Sequence, residues 1–391
     1  MSDLLNGRWQ ETKEALLEGL NGTRRSSMSV TLENTRKYLA ESASAGATSA
    51  GNVATLNRVI LPVIRRVMPT VIANELVGVQ PMTGPVGQIH TLRVRYSDTS
   101  ANAGVLAGEE ALSPFKIAAS YSGNETAATP RAGSTATLEG AAGKRMSIQI
   151  LKQVVEAKTR KLSARWTFEA AQDAQAQQGI DIEAEIMAAL AQEITAEIDQ
   201  EILGSLRSLA GTAVETYNQA AVSGTATFVG DEHAALAVQI NRAANLIAQR
   251  TRRGAGNYAV VSPLALTILQ SATTSAFART TEGTFEAPTN TKFVGTLNSA
   301  MRVYVDSYAS DGTGVLIGYK GSSESDAPAF YCPYIPLMSS GVVLDPSTFE
   351  PVVSFMTRYG YVELTNTASS LGNAADYLAN VAITNANVRF S

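Results

Sequence analysis

The chain has 391 residues, 17% of them charged and 45% hydrophobic, with a formal net charge of −4 at pH 7. That balance supplies no global basic field for sequence-specific nucleic-acid binding, and the length suits two domains or one elaborate one. A single cysteine, Cys332, excludes an intrachain disulfide framework and suits a reducing cytoplasm. The chain has neither a signal-peptide core nor the run of roughly eighteen apolar residues a membrane span needs, so neither membrane insertion nor export is indicated.

Residues 1–50 read as an N-terminal leader or arm. A charged amphipathic piece from Trp9 to Leu20 gives way to the small-residue tract ESASAGATSAG, which reads as linker rather than core. Residues 51–85 carry short apolar segments broken by Pro62, Pro69 and Pro81, each of which limits a helix. The stretch QIHTLRVRY, 88–96, alternates like a strand. A second extended segment covers Met146 to Trp166, with Val154, Glu156, Lys158, Arg160 and Leu162 on one face and Val155, Ala157, Thr159 and Lys161 on the other. Charges on both faces are unusual for strands packed on their own core. Between them, Ser97 to Arg145 offers few large apolar side chains, and so long a connection implies a task. The expectation is a two-stranded finger that leaves the body and lies on another molecule, the alternative being a disordered insertion.

The stretch GIDIEAEIMAALAQEITAEIDQEIL, 179–203, predicts one long helix. Ile182, Ile186, Leu190, Ile194, Ile198, Ile202 and Leu206 recur every four residues, and Ala188, Ala189, Ala191 and Ala196 favour helix. Extended to Leu209 it runs roughly 45 Å at 1.5 Å per residue. A four-residue step over-rotates against a turn of 3.6, so the apolar seam winds round the rod and meets several partners. Glu183, Glu185, Glu193, Glu197, Asp199 and Glu201 read as its solvated face. A carboxylate metal site would need histidines on facing helices, and the chain has only His90 and His233. Residues 234–254 predict a helix with Leu236, Ile240, Ala244 and Ile247 facing inward. Arg250, Arg252 and Arg253 oppose the dipole of its last turn, and Gly254 ends it; the alternative use of this cluster is contact with DNA or a neighbouring subunit. Strands are expected at NYAVV and at 301–306, 314–319, 329–338 and 350–364, with Ser262 and Pro263 starting a helix between them. The mixture implies an α+β body.

No catalytic constellation emerges, and no cofactor-binding or metal site is assigned. GAAGKRMS lacks both the first glycine and the Ser/Thr of a phosphate loop, having Leu138 and Arg145 there. Two isolated histidines give no triad. Cys332, between Tyr331 and Pro333, reads as packing, and Trp9 and Trp166 form no obvious sugar platform.

Six segments in order, LVGVQPMTGPVGQIHTLRVRY, VEAKTRKLSARWTFEAAQD, the 179–203 helix, TRRGAGNYAVVSP, KFVGTLNSAMRVYVD and FYCPYIPL, resemble the major capsid protein of T-even-like contractile-tailed bacteriophages. The resemblance spans roughly residues 55–365. It implies the Hong Kong 97-type capsid fold with peripheral domain, axial domain, extended E-loop and N-terminal arm. Residues 51–85 would be the N-arm and start of the peripheral domain, 86–166 the E-loop hairpin, and 167–225 the peripheral domain with the long helix as its spine. Residues 226–345 would be the axial domain and 346–391 a return to the peripheral domain. Family members commonly carry a folded insertion domain in the E-loop, here reduced to the polar stretch 97–145.

The implied function is self-assembly into hexameric capsomers of an icosahedral shell around double-stranded DNA, located in the virion and assembled in the bacterial cytoplasm. Implied partners are copies of itself, vertex and portal proteins, scaffold, a prohead protease and decoration proteins, with non-specific DNA contact and no membrane. That protease cuts after Leu/Ile-x-Glu. The triplets that fit are Leu16-Leu17-Glu18 and Leu39-Ala40-Glu41, both in the leader, and cleavage is expected after Glu41. The rival readings are an encapsulin-like nanocompartment shell, a pentameric vertex protein of the same family, and a soluble enzyme or binding module.

Overall fold

The computed structural model describes residues 9–10, 13–14, 16–17, 22–44, 71–100, 104–109, 111, 121–123, 132–140, 142–178, 181–222, 229–251, 253–272, 277–279, 292–298, 300–310, 312–324, 326–348, 350–364 and 374–385. The segments broken by Pro62 and Pro69 lie outside these, as does Arg252. The α+β class expected from the sequence is what the chain adopts. A first sheet joins β1 (Gly78–Val79), β11 (Ala329–Ser339), β13 (Pro351–Glu363) and β12 (Val343–Leu344), with β4 (Lys158–Arg165) antiparallel to β13. A second sheet has the order β5 (Glu215–Asn218), β14 (Leu378–Thr384), β10 (Val315–Gly318), β6 (Tyr258–Val261), β9 (Met301–Val305), β8 (Lys292–Leu297), β7 (Phe277–Arg279).

The long helix Ile182–Ala210 shares one core with both sheets. Ile194, Ile198, Ile202, Leu203 and Leu206 meet Tyr331, Leu337, Val353 and Phe355 of the first sheet and Tyr258, Val260, Tyr304 and Leu316 of the second. Each such side chain contributes about 1.5–3 kcal/mol on burial. Asp181 caps the helix by accepting from Glu183 N–H at 3.1 Å. Gly211, at φ 66°, ends it in a backbone conformation that a side chain would strain. A separate core lies between the second sheet and two helices, Val229–Thr251 and Pro263–Ser271, where Leu236, Ile240, Ala244 and Ile247 are buried as their spacing predicts. Ser262 Oγ caps the second of these, accepting from Ala265 N–H at 3.3 Å.

Five placements differ from the sequence expectations. The extended segment 146–166 breaks at Ala157. β3 (Met146–Glu156) pairs with β2 (Val86–Tyr96), whereas β4 joins the body sheet. β11, expected with the axial strands, pairs with β13, and β14 near the C-terminus enters the second sheet. The N-terminal region is not merely linker: a helix covers Gly22–Ser44 and packs on β11, with Met28, Thr31, Leu32 and Thr35 buried. With Ser27 and Asn34 also buried, most of that face is polar, and the Thr31 and Thr35 hydroxyls bond back to Met28 O and Thr31 O, so hydropathy alone does not reveal it. Finally, Asp199 is not on the solvated face.

The wound seam carries Asp199 inside to 2% exposure, where its Oδ1 accepts from Ile72 N–H at 2.9 Å. Burial first, and the nearby Asp306 second, push its carboxyl up to about 7. Asp306 is itself fully buried, receiving Arg207 Nη1 at 3.1 Å and Gln200 Nε2 at 2.8 Å. The folded state therefore holds a proton on Asp199 that the unfolded chain, with its ordinary value of 3.8, releases. This contribution to stability is full below the unfolded value and is lost as pH rises through about 7. Asp199→Asn keeps the acceptor for Ile72 and cannot titrate. Urea denaturation should show the wild type losing stability between pH 4 and pH 8 relative to this variant. Arg207→Met, which strands Asp306 without its cation, should cost about 3–5 kcal/mol in the same measurement.

Candidate assembly surfaces

The hairpin β2–β3 pairs along its whole length, from Val86↔Glu156 to Tyr96↔Met146. Eleven residues at about 3.4 Å each carry it roughly 37 Å. Its root is fixed by a small core: Val155, Met82, Phe330 and Cys332 are buried together, with Ile89 and Leu364 beside them. Gly360 on β13 makes this docking possible, because a Cβ there would overlap Val155 Cγ1. Gln153 Nε2 adds a bond to Glu363 O at 3.2 Å. A cleft of about 430 Å³ opens beside the root, lined by Gln80, Met82, Val86, His90 and Phe330 among others.

The tip is more structured than a polar stretch. Tyr96, Val105, Ala111 and Tyr121 form a buried cluster, with the Tyr96 and Tyr121 rings 4.6 Å apart. Backbone bonds Tyr96 N–H to Glu109 O, 2.9 Å, and Ala111 N–H to Val94 O, 2.7 Å, fold the connection back on β2. The GAAGKRMS segment closes this tip: Asp98 Oδ2 accepts from Arg145 N–H at 2.8 Å and Lys144 Nζ donates to Thr99 O at 3.2 Å. Those bonds use the groups a phosphate cradle would need. The sequence signal for the tip cluster is weak because only a few apolar residues, far apart in the chain, build it.

Alternation places the even residues of β3 on one face. Met146, Ile148, Ile150 and Val154 are 52%, 68%, 67% and 50% exposed, and Val86 on β2 adds 56%. Lys152 lies on the same face, exposed. The first sheet presents a different surface to the long helix. Arg160 of β4 reaches Glu197 at 2.6 Å and Glu201 at 2.5 Å, and its Nε donates to Tyr359 Oη at 2.6 Å. Burial opposes charge on both partners, yet their mutual bonds raise the Arg160 pKa and lower that of Glu201. These acids of the long helix thus brace the body sheet.

The remaining sequence candidates fall apart in space. His90 is exposed on β2, whereas His233 is buried in the helix Val229–Thr251 with Nδ1 2.5 Å from Ser271 Oγ, and burial holds its imidazole below the ordinary value. Cys332 is buried and its thiol is pushed up to about 12, which suits packing and not nucleophilic attack. Arg253 pairs with Asp326 across the fold, a structural use of a cation that the sequence offered as a helix cap or as a contact to DNA or a neighbouring subunit. Leu39, Ala40 and Glu41 fall in the C-terminal half of the helix Gly22–Ser44, and their side chains lie outside the described residues. That helix is anchored by Asn34 Nδ2, which donates to Met82 O at 2.8 Å and Tyr334 O at 2.9 Å.

Comparison with known proteins gives one answer. The family described as Major capsid protein Gp23 matches residues 53–141 and 118–388. The major capsid protein of Vibrio phage KVP40 is 31% identical over 428 residues, covering 85% of this chain and 82% of the relative. That of Enterobacteria phage T4 is 31% identical over 411 residues, covering 83% and 78%. Among solved structures, a chain of Mycobacterium phage Cain has a TM-score of 0.47 at 10% identity, covering 81% of this chain and 91% of that one. The capsid of Myoviridae phage XM1 has 0.45 at 11%, covering 80% and 92%. These two are too distant to bear on function. The family match and the α+β body agree with the capsid fold expected from the sequence, and the chain belongs to the Gp23 major capsid protein family.

Proposed function

We propose that this chain builds hexameric capsomers that close into an icosahedral shell around double-stranded DNA, with the β2–β3 hairpin serving as the arm that overlies an adjacent subunit. The observation that carries this is a rigidly rooted hairpin on which Met146, Ile148, Ile150 and Val154 stand exposed on one face in the single chain. A lone soluble domain gains nothing from such a face, whereas a tiled one covers it. Family membership supports the shell over the enzyme or binding-module reading. It also favours the phage head over an encapsulin-like compartment and the major subunit over a pentameric vertex protein. The long helix would be the spine of the peripheral part and the second sheet the axial part.

Shell, virion location and many-copy assembly follow from the family. Assembly in the host cytoplasm, together with vertex, portal, scaffold and decoration partners, extends that reading. Contact with the genome is expected to be non-specific, since specific or tight phosphate binding needs clustered cations that a chain of net charge −4 does not present globally. Negative-stain microscopy of the protein expressed alone and with its phage neighbours tests the shell. Nucleic-acid analysis of the particles separates a phage head from a cargo compartment.

Leader removal after Glu41 belongs to the same reading. Of the two candidate triplets, Leu16-Leu17-Glu18 has Leu17 buried, which favours the later one. A protease must unwind the last turn of the helix Gly22–Ser44 to reach Glu41. Mass spectrometry of mature particles should find chains beginning at Ser42, and particles built of chains with an intact Met1 would refute it. Deleting residues 97–145, with a two-residue Asn-Gly turn in their place, should leave a cooperatively folding body yet impair capsomer formation. Normal particles from that variant would show that the hairpin's extension is dispensable.

A further inference from the structure

His233 is a buried imidazole, 3% exposed, at the seam between the two helices that cover the second sheet. Its Nδ1 lies 2.5 Å from Ser271 Oγ, which ties the first turns of the helix Val229–Thr251 to the last residue of Pro263–Ser271. Ser271 Oγ already donates its single proton to Ile268 O at 3.0 Å. The hydroxyl can therefore only accept from the ring, which fixes the neutral tautomer with its proton on Nδ1. Nε2 then carries a bare lone pair, and it finds no partner among the described residues.

A second proton has no place in that arrangement. Added at Nε2, it would bury an N–H and a full charge without an acceptor. Glu232 precedes His233, but adjacent helix residues do not face each other, and its Oε2 accepts from Gln219 Nε2 at 3.0 Å. Burial outweighs the attraction of Glu232 and holds the imidazole below its ordinary value of 6.5. Of the other elements packed on this helix, Pro263–Ser271, the helix Gln219–Val222, β10 and β14 carry no ionisable residue. β5 contributes Tyr217, whose hydroxyl donates to Glu232 O at 3.3 Å, and Glu215, which Arg242 holds at 3.1 Å. The turn Ala374–Tyr377 contributes Asp376 and Tyr377 at the other end of the helix, where Tyr377 donates to Asp326 at 3.3 Å beside Arg253.

We propose that His233 is an acid-released latch: neutral, it clamps the adjoining ends of the two helices, and protonated, it leaves the seam and lets both ends open. The opening is local, because Ile240, Ala244, Ala265 and Ile268 keep the rest of each helix on the sheet. Linkage gives the direction. The contribution of the latch is fully present above 6.5 and is lost as pH falls through the lower value of the folded state. Asp199 acts in the opposite sense, since its proton strengthens the fold in acid, so only a local readout isolates the latch. The latch belongs to the single chain and stands or falls independently of shell assembly.

Hydrogen–deuterium exchange of the full chain, corrected for the intrinsic pH dependence of exchange, tests it. On going from about pH 7.5 to about pH 5, peptides covering 229–236 and 266–272 should exchange at least about fivefold faster, with β6 and β10 unchanged. His233→Gln, which cannot titrate, should reduce that change to less than about twofold, whereas His90→Gln should keep the full response. Ser271→Ala, which takes the acceptor from the Nδ1 proton, should exchange faster than wild type in both segments already at about pH 7.5. A wild type without the local acceleration, or a His233→Gln chain that retains it, overturns the latch. So does a Ser271→Ala chain as protected as wild type, an outcome that decides even if His233→Gln does not fold.

Discussion

The long helix between the two sheets is the constraint on which the other features depend. Its apolar positions step by four against a turn of 3.6, so the seam rotates as it runs, and one rod can serve two sheets at once. Ile198 and Ile202 contribute to a core that Val353 and Phe355 enter from one side and Val260 and Leu316 from the other. The same rotation carries Asp199 inside, next to the Arg207–Asp306 pair. That ionic cluster lies where the helix meets the end of β9, which makes the orientation of the second sheet sensitive to a few polar groups.

A body held this way can support a long hairpin without burying it. Pairing along the whole of β2 satisfies the inner backbone groups, and Gly360 lets Val155 settle on β13, so the hairpin is stiff before it meets a partner. Stiffness matters for assembly because each ordered residue costs about 1–2 kcal/mol of backbone entropy. A preordered arm incurs little of that on docking, so modest contacts repeated in a closed lattice suffice.

Much of this was legible in the sequence. The long helix, the inward face of the helix Val229–Thr251, the cap at Ser262 and the alternating β2 could be read directly, because each is a local pattern of apolar spacing or capping. The break at Ala157 could not: residues 146–165 alternate without interruption, and only the change of partner from β2 to β13 divides them. The N-terminal helix escaped because its buried face is mostly polar, with Ser27, Thr31, Asn34 and Thr35, and its anchor is the Asn34 side chain bridging two carbonyls. Asp199 escaped because an acid on a four-residue ladder looks solvated until the seam's rotation is followed residue by residue. At the candidate surfaces, the finger was foreseeable from charges on both strand faces, but its apolar outer face was not. The exposed side depends on which residues the root buries, and that is tertiary information.

Charge segregation also bears on what the chain avoids. An evenly mixed surface with the same net charge would attract its copies in many orientations, each weakly. The acids of residues 167–206 are gathered on two helices with no Lys or Arg among them, so like charge opposes close approach of those faces in two copies. Arg160 shows the limit of the scheme, since a cation close enough to its own acids is consumed inside the chain, bracing β4 against the long helix.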